Sequence, residues 1–162
     1  MEDFLELLSE ANKAFKTADH LTYVTYPLVQ ETKLLIAIVE NLYSALIKSI
    51  EAILEYDQLY KRISLLPQDP QLRFEIFKTK SAKRYNIDDI DLDLIEDLRE
   101  IISYHKKSPL EFVRKDKYVL YLNNLRIKTI DFKKIKEDLE KVNTFLKKVN
   151  LIFEDERKYQ RS

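Results

Sequence analysis

Apolar residues recur at three- and four-residue steps from the start of the chain: Phe4, Leu7 and Leu8, Ala11, Ala14 and Phe15, Ala18, Leu21. That spacing lines one face of a helix and predicts the first element over residues 3–24. Three of these positions are Ala, which lets a neighbouring helix come close. Thr25-Tyr26-Pro27 is expected to reset the chain, since Pro suits the first turn of a new helix and not the interior of an old one. From Pro27 to about Ile63 the polar residues Lys33, Glu40, Ser44, Lys48, Glu51, Glu55, Gln58 and Arg62 hold one narrow stripe. The rest is largely Leu, Ile, Val, Ala or Tyr. A helix apolar over most of its circumference belongs at the centre of a bundle. It is predicted to be a continuous rod about 54 Å long.

Leu65-Leu66-Pro67-Gln68-Asp69-Pro70 is the clearest break, and Asp69 followed by Pro70 suits an N-cap with Pro at the first helical position. A third helix is predicted from Pro70 to about Arg84 and a fourth from about Asp89 to Lys107. Ser108-Pro109 ends the fourth, because the residue before Pro is pushed out of the helical region. The period then changes. Tyr118, Leu120 and Leu122 alternate, Asn123-Asn124 follows, and Leu125, Ile127 and Thr129 alternate again. This predicts a β-hairpin over residues 117–130, with Asn-Asn as a two-residue turn. Leu122 then faces Leu125 and Leu120 faces Ile127, while Val119, Tyr121, Arg126 and Lys128 share the opposite face. The last helix is expected to start after Asp131 as N-cap, with Ile130 and Ile135 as a hydrophobic staple. Ile135, Leu139, Val142, Leu146, Val149 and Phe153 form a heptad seam, fit to pack along a neighbour or a symmetry mate. The fold class is therefore mainly α: an antiparallel bundle of five helices with a small β-hairpin before the last one, in a single domain 1–162.

Composition narrows the chemistry. The 162 residues contain no Gly and no Cys. Without Gly the phosphate-binding loop, the dinucleotide fingerprint, the Gly-x-Ser-x-Gly elbow and the EF-hand fall away together, since each has a backbone position that only Gly adopts cheaply. Without Cys there is no disulfide framework and no thiolate zinc site. Lys+Arg and Asp+Glu stand at 28 each, which gives no overall field for a polyanion or an anionic membrane. The longest apolar run, Leu34 to Val39, covers about 9 Å of helix, far short of a membrane span. The acidic start Met1-Glu2-Asp3-Phe4 is unlike a secretory signal, so a cytoplasmic location is expected.

Three groups of residues carry candidate chemistry. Asp88, Asp89, Asp91 and Asp93 are the densest acidic stretch. Several carboxylates suit a divalent cation, but residues two apart on a helix point to different faces. The stretch reads best as a helix N-terminus, where exposed amides and the dipole favour Asp. Arg99 and His105 pair a phosphate-holding guanidinium with a proton-moving imidazole, enough for metal-free RNA cleavage through the 2′-hydroxyl if they converge. Six positions along a helix separate them by about 120°, so convergence needs a deformed helix or a second subunit. The simpler reading of Arg99 is a pair with Glu96 or with a carboxylate such as Asp91, and of His105 an extension of the apolar face. The third group is basic and aromatic. Arg114, Lys115, Lys117, Arg126 and Lys128, with Lys106 and Lys107, surround Tyr121, while Lys78, Lys80, Lys83 and Arg84 form a second cluster. Clustered cations hold phosphates and an exposed Tyr on a strand stacks a base, which is the pattern of an RNA-binding face. The ordinary alternative is a solvated sheet edge blunted by Lys.

The segment from Ala11 to Leu21 (Ala-Asn-Lys-Ala-Phe-Lys-Thr-Ala-Asp-His-Leu), with the long helix through Leu54, resembles HEPN-type helical domains. The stretch from Lys107 to Val119 and the hairpin look like a group of small archaeal proteins. The HEPN resemblance implies an antiparallel, often dimeric bundle, and many such domains carry an Arg, four to six residues, then His. Arg99 and His105 have five between them. Glu100 stands where those ribonucleases commonly have Asn, Asp or His. The expectation is a non-enzymatic interaction module, a homodimer or the partner of another helical protein, with no metal and no cofactor. The second expectation is a HEPN-like ribonuclease or RNA-binding protein using Arg99 and His105. The apolar second helix and the heptad seam are the expected contact surfaces.

Overall fold

The computed structural model describes residues 3–107, 111–114, 116–121 and 126–161. Among these residues, five helices and a three-stranded antiparallel sheet follow one another in the expected order, with the sheet before the last helix. Helix α1 spans Asp3–His20 and continues without a break through a π-helical turn, Leu21–Thr25, and a last α-turn, Tyr26–Val29. Pro27 therefore sits inside this helix rather than opening the next. The π turn explains the difference. The Tyr26 N–H bonds the Leu21 carbonyl five residues back, which widens the helix just where the Pro27 ring would meet the preceding turn. The chain leaves instead at Gln30, whose φ is 54° and whose N–H bonds the Tyr26 carbonyl at 2.7 Å.

Helix α2, Lys33–Leu59, is the central element and is shorter at both ends than the predicted rod. Leu35, Ile38, Leu42, Ala45, Leu46 and Ile53 are fully buried along it. α1, the β-sheet and the later helices surround it. It stops at a Schellman motif. Lys61 takes φ 59°, its N–H bonds the Gln58 carbonyl, and the Arg62 N–H bonds the Asp57 carbonyl at 2.8 Å. Helix α3, Pro70–Ile76, is capped by Asp69, which accepts from the Gln71 N–H at 3.1 Å. It runs on through a second π turn, Phe77–Ser81, to Ala82–Arg84, and ends with Asn86 at φ 58°. Helix α4 spans Asp89–Lys107 and buries Leu94, Ile95, Leu98, Ile101 and Ile102. Ser108 and Pro109, expected to end it, lie outside the described residues.

The chain has no Gly, so left-handed turn positions fall to Gln30, Lys61, Asn86 and Asp116. A side chain with a Cβ is strained there, and Asn and Asp are strained least. Lys61→Gly and Gln30→Gly are each expected to raise stability by ~0.5–1 kcal/mol, and Asn86→Gly by less. Urea midpoints of the three variants check this. A loss of stability at Lys61→Gly would contradict it.

The sheet has three strands, β1 Glu111–Arg114, β2 Lys117–Tyr121 and β3 Ile127–Ile130, in the order β1-β2-β3. β1 is additional to the predicted hairpin. In β2 Tyr118 and Leu120 are buried as expected, Val119 between them is buried as well, and β3 is shifted by one position. Tyr121 pairs with Ile127 and Leu120 with Lys128, not Leu120 with Ile127. A one-residue shift turns every β3 side chain to the other face. Ile130 fixes the outcome. It is buried against the bundle at the entry to the last helix, so Lys128 points inward beside it, and Ile127 and Thr129 point outward. The Asn123-Asn124 turn, Leu122 and Leu125 lie outside the described residues.

Helix α5, Phe132–Arg161, starts as expected with the Lys134 N–H on Asp131 at 2.8 Å. All six residues of its heptad seam are buried within this one chain. At the far end Phe4, Tyr56 and Phe153 close the bundle, with ring centroids 5.2–5.7 Å apart. Asn12 of α1 and Asn150 of α5 exchange two amide hydrogen bonds, at 3.2 and 3.1 Å. The two surfaces expected to need a partner are thus covered by the chain's own elements. Among the described residues, no helix is long and apolar enough to cross a membrane.

Candidate functional site

Arg99 and His105 both lie on α4 but turn to different neighbours. Arg99 donates to Glu96 at 2.9 Å and to Gln71 at 2.8 Å, and its guanidinium lies 5.4 Å from the centre of the Phe74 ring. Its orientation follows from α3 lying alongside. His105, one and two-thirds turns later, faces α2 and β2: Nε2 is 3.8 Å from Glu40, and its ring meets Tyr118 edge-on at 6.3 Å. A groove of about 540 Å³ runs beside Arg99, lined among others by Glu96, Asp97, Glu100, Tyr104 and Arg126. His105 is not among its lining residues. Three carboxylates at that groove oppose a phosphate, and Arg126, 3.9 Å from Glu100, extends over the same surface.

The acidic stretch at the start of α4 is a cap and an inter-helix anchor. Asp88 accepts the Asp91 N–H at 3.0 Å, and that backbone bond, helped by Lys148, holds its carboxyl below the usual range. Asp91 is buried and takes Lys148 of α5 at 2.7 Å. Among the described residues no group of His, Asp and Glu is arranged to hold a metal ion.

The basic residues divide between the two faces of the sheet. Lys128 is on the inner face and donates to Asp97 of α4. Lys134 reaches the other oxygen of Asp97 at 3.0 Å and Asp138 at 3.1 Å. Burial works against ionising Asp97, but the two lysine hydrogen bonds outweigh it and keep its carboxyl low. Asp138 is more deeply buried and its carboxyl is pushed up, with Lys134 offsetting only part of the effect. This four-residue cluster ties α4, β3 and α5 together, which assigns Lys128 to the scaffold. Lys78 is likewise held, by Glu75 at 3.1 Å and over the Phe74 ring.

Arg114, Lys117 and Tyr121 do come together. They share the outer face of the sheet with Val119, Ile127 and Thr129, around a groove of about 490 Å³ with Asp131 at one end. Lys115 lies outside the described residues. Ile127 is 55% exposed and Tyr121 37%. A second groove of about 600 Å³ shares Lys117 and Asp131 and continues to Tyr26, Pro27 and Gln30 at the end of α1. Tyr26 stacks there on Phe132, with centroids 4.6 Å apart. Beyond it Leu28 is 81% exposed. The outer face of an antiparallel sheet over a bundle is ordinarily polar. This one is apolar at one end and basic at the other. Ile127, Thr129 and Asp131 were not assigned to it from sequence because the predicted register pointed Ile127 and Thr129 inward. The buried Ile130, already paired with Ile135 as a staple, is the signal that fixes the alternation.

Compared with protein-family models, with curated proteins and with solved structures, the chain matches none.

Proposed function

We propose that this chain is a non-enzymatic interaction module that binds a macromolecular partner through the outer face of its three-stranded sheet. One observation carries the reading: Arg114, Lys117, Tyr121, Val119, Ile127 and Thr129 line one open groove on a bundle whose α5 seam and central α2 core positions are already covered. A rigid sheet presenting an aromatic, aliphatic side chains and cations is suited to recognition, where aromatic and Arg anchors contribute most. On this reading Arg99 and His105 belong to the scaffold, joining α4 to α3 and to the α2–β2 side.

The test is the double variant Tyr121→Ala/Ile127→Ser, both exposed positions whose loss leaves the core intact. Two associations are measured for wild type and variant: self-association by light scattering, and binding of a labelled single-stranded RNA by fluorescence anisotropy. At least one association is expected in the wild type and is weakened about tenfold or more in the variant, with an unchanged circular dichroism spectrum. No association in the wild type, or equal association in the variant, would contradict the proposal.

A further inference from the structure

The strand register arranges the outer face in rows. Arg114 pairs with Lys117, and since Tyr118 pairs with Ile130, the next position beside Lys117 is Asp131. One row therefore reads basic, basic, acidic across the sheet. Val119 and Thr129 form the next row, and Tyr121 and Ile127 the one after. A polyphosphate laid on this face would meet Asp131, and Asp116 beside it, along with the two cations. The face matches itself better.

Resting on the binding face proposed above, we infer that its partner is a second copy of this chain, related by a two-fold axis parallel to β2. Such an axis exchanges the β1 and β3 sides while keeping the ends of the strands together. It sets Arg114 of each copy opposite Asp131 of the other, so one charge match is made twice. Lys117 and Tyr121 lie close to the axis and meet their own counterparts, the two Lys117 side chains between the two Arg114–Asp131 matches, and Ile127 closes the apolar end beside the buried Val119. A two-fold axis across the strands would instead set Lys117 on Tyr121 and Asp131 on Ile127, covering a cation and a carboxylate with no opposite charge. Three short strands are a small contact even with the end of α1 added, so the dimer is a reversible, concentration-dependent one. Screening of the Arg114–Asp131 matches makes it weaker in high salt.

The chain has no Cys, so a single introduced thiol reports position cleanly. Lys117→Cys, next to the axis, is expected to give a covalent dimer with a short bis-maleimide. Lys16→Cys, exposed on α1, is the control and is expected to give none. Light scattering of the unmodified protein at rising concentration and low ionic strength is expected to approach twice the mass of the chain. Arg114→Glu, which faces Asp131 with a like charge, is expected to weaken association at least about tenfold. Asp131→Asn keeps an oxygen for the Lys134 N–H and is expected to flatten the salt dependence. A protein that stays monomeric, or a dimer indifferent to Arg114→Glu that does not cross-link through Lys117→Cys, overturns the inference. If the protein is monomeric while RNA binding is lost in Tyr121→Ala/Ile127→Ser, the partner is wrong and the binding face stands. A dimer unchanged by every outer-face variant removes both.

Discussion

Asp57→Ala is expected to cost ~3–5 kcal/mol of folding stability, because it removes the single carboxylate on which a buried cluster converges. Asp57 lies in the last turn of α2 and is 1% exposed. One of its oxygens accepts from the Ser81 hydroxyl at 2.7 Å; the other accepts from the Tyr85 hydroxyl and lies 3.5 Å from Arg62 Nη1. Ser81 reaches it from the end of the second π turn, where it is fully buried. Burial and the bond to Asp57 push the Tyr85 hydroxyl well up from its ordinary value, so it stays a donor across the physiological range. Arg62 in turn donates to Tyr85 at 2.9 Å and lies over the rings of Tyr56 and Tyr60. Alanine would leave these donors facing a dry gap, and an unsatisfied buried donor loses its full solvation. The whole folding free energy of a domain this size is about 5–15 kcal/mol, so the variant is expected to be near the edge of folding. Urea titration measures it. A cost under ~1 kcal/mol would mean that water already reaches the cluster.

Leu46→Ala is the second large effect, expected at ~2–5 kcal/mol. Leu46 lies in the middle of α2 with no exposed surface, between helices that cannot collapse onto the space left. Leu28→Ala makes the same chemical change at a position 81% exposed and is expected to cost under ~0.5 kcal/mol. Equal costs at the two sites would contradict the enclosure of α2 by its own chain.

The helices were legible because burial on one side writes a helical period into the sequence. α2 and the α5 seam are where that period is strongest, and both are buried as it requires. Pro27 misled because Pro constrains the helix locally, whereas a single π turn ahead of it removes the conflict at a distance no residue pattern records. Asp57 was legible in part: it lies off the polar stripe of α2, and a charged residue on an apolar face implies a buried partner. Its partners Ser81 and Tyr85 are 24 and 28 positions away, which local spacing does not reach. The sheet shows the same limit. β2 alternates clearly, but β3 is short, and the buried Ile130 constrains its register more strongly than the Asn-Asn pair does. Arg99 and His105 looked like a pair along the chain because sequence distance hides angle. In the fold they face α3 on one side and α2 with β2 on the other.

The central claim is that the bundle is complete in itself and that the outer face of the sheet is what meets a partner. Amide hydrogen exchange of the unmodified protein, followed as its concentration is raised, tests this most directly. Protection is expected to increase in β1, β2, β3 and the end of α1, with α2 and the α5 seam equally slow throughout. An increase confined to α1, α2 or α5, with the sheet unchanged, would contradict the account.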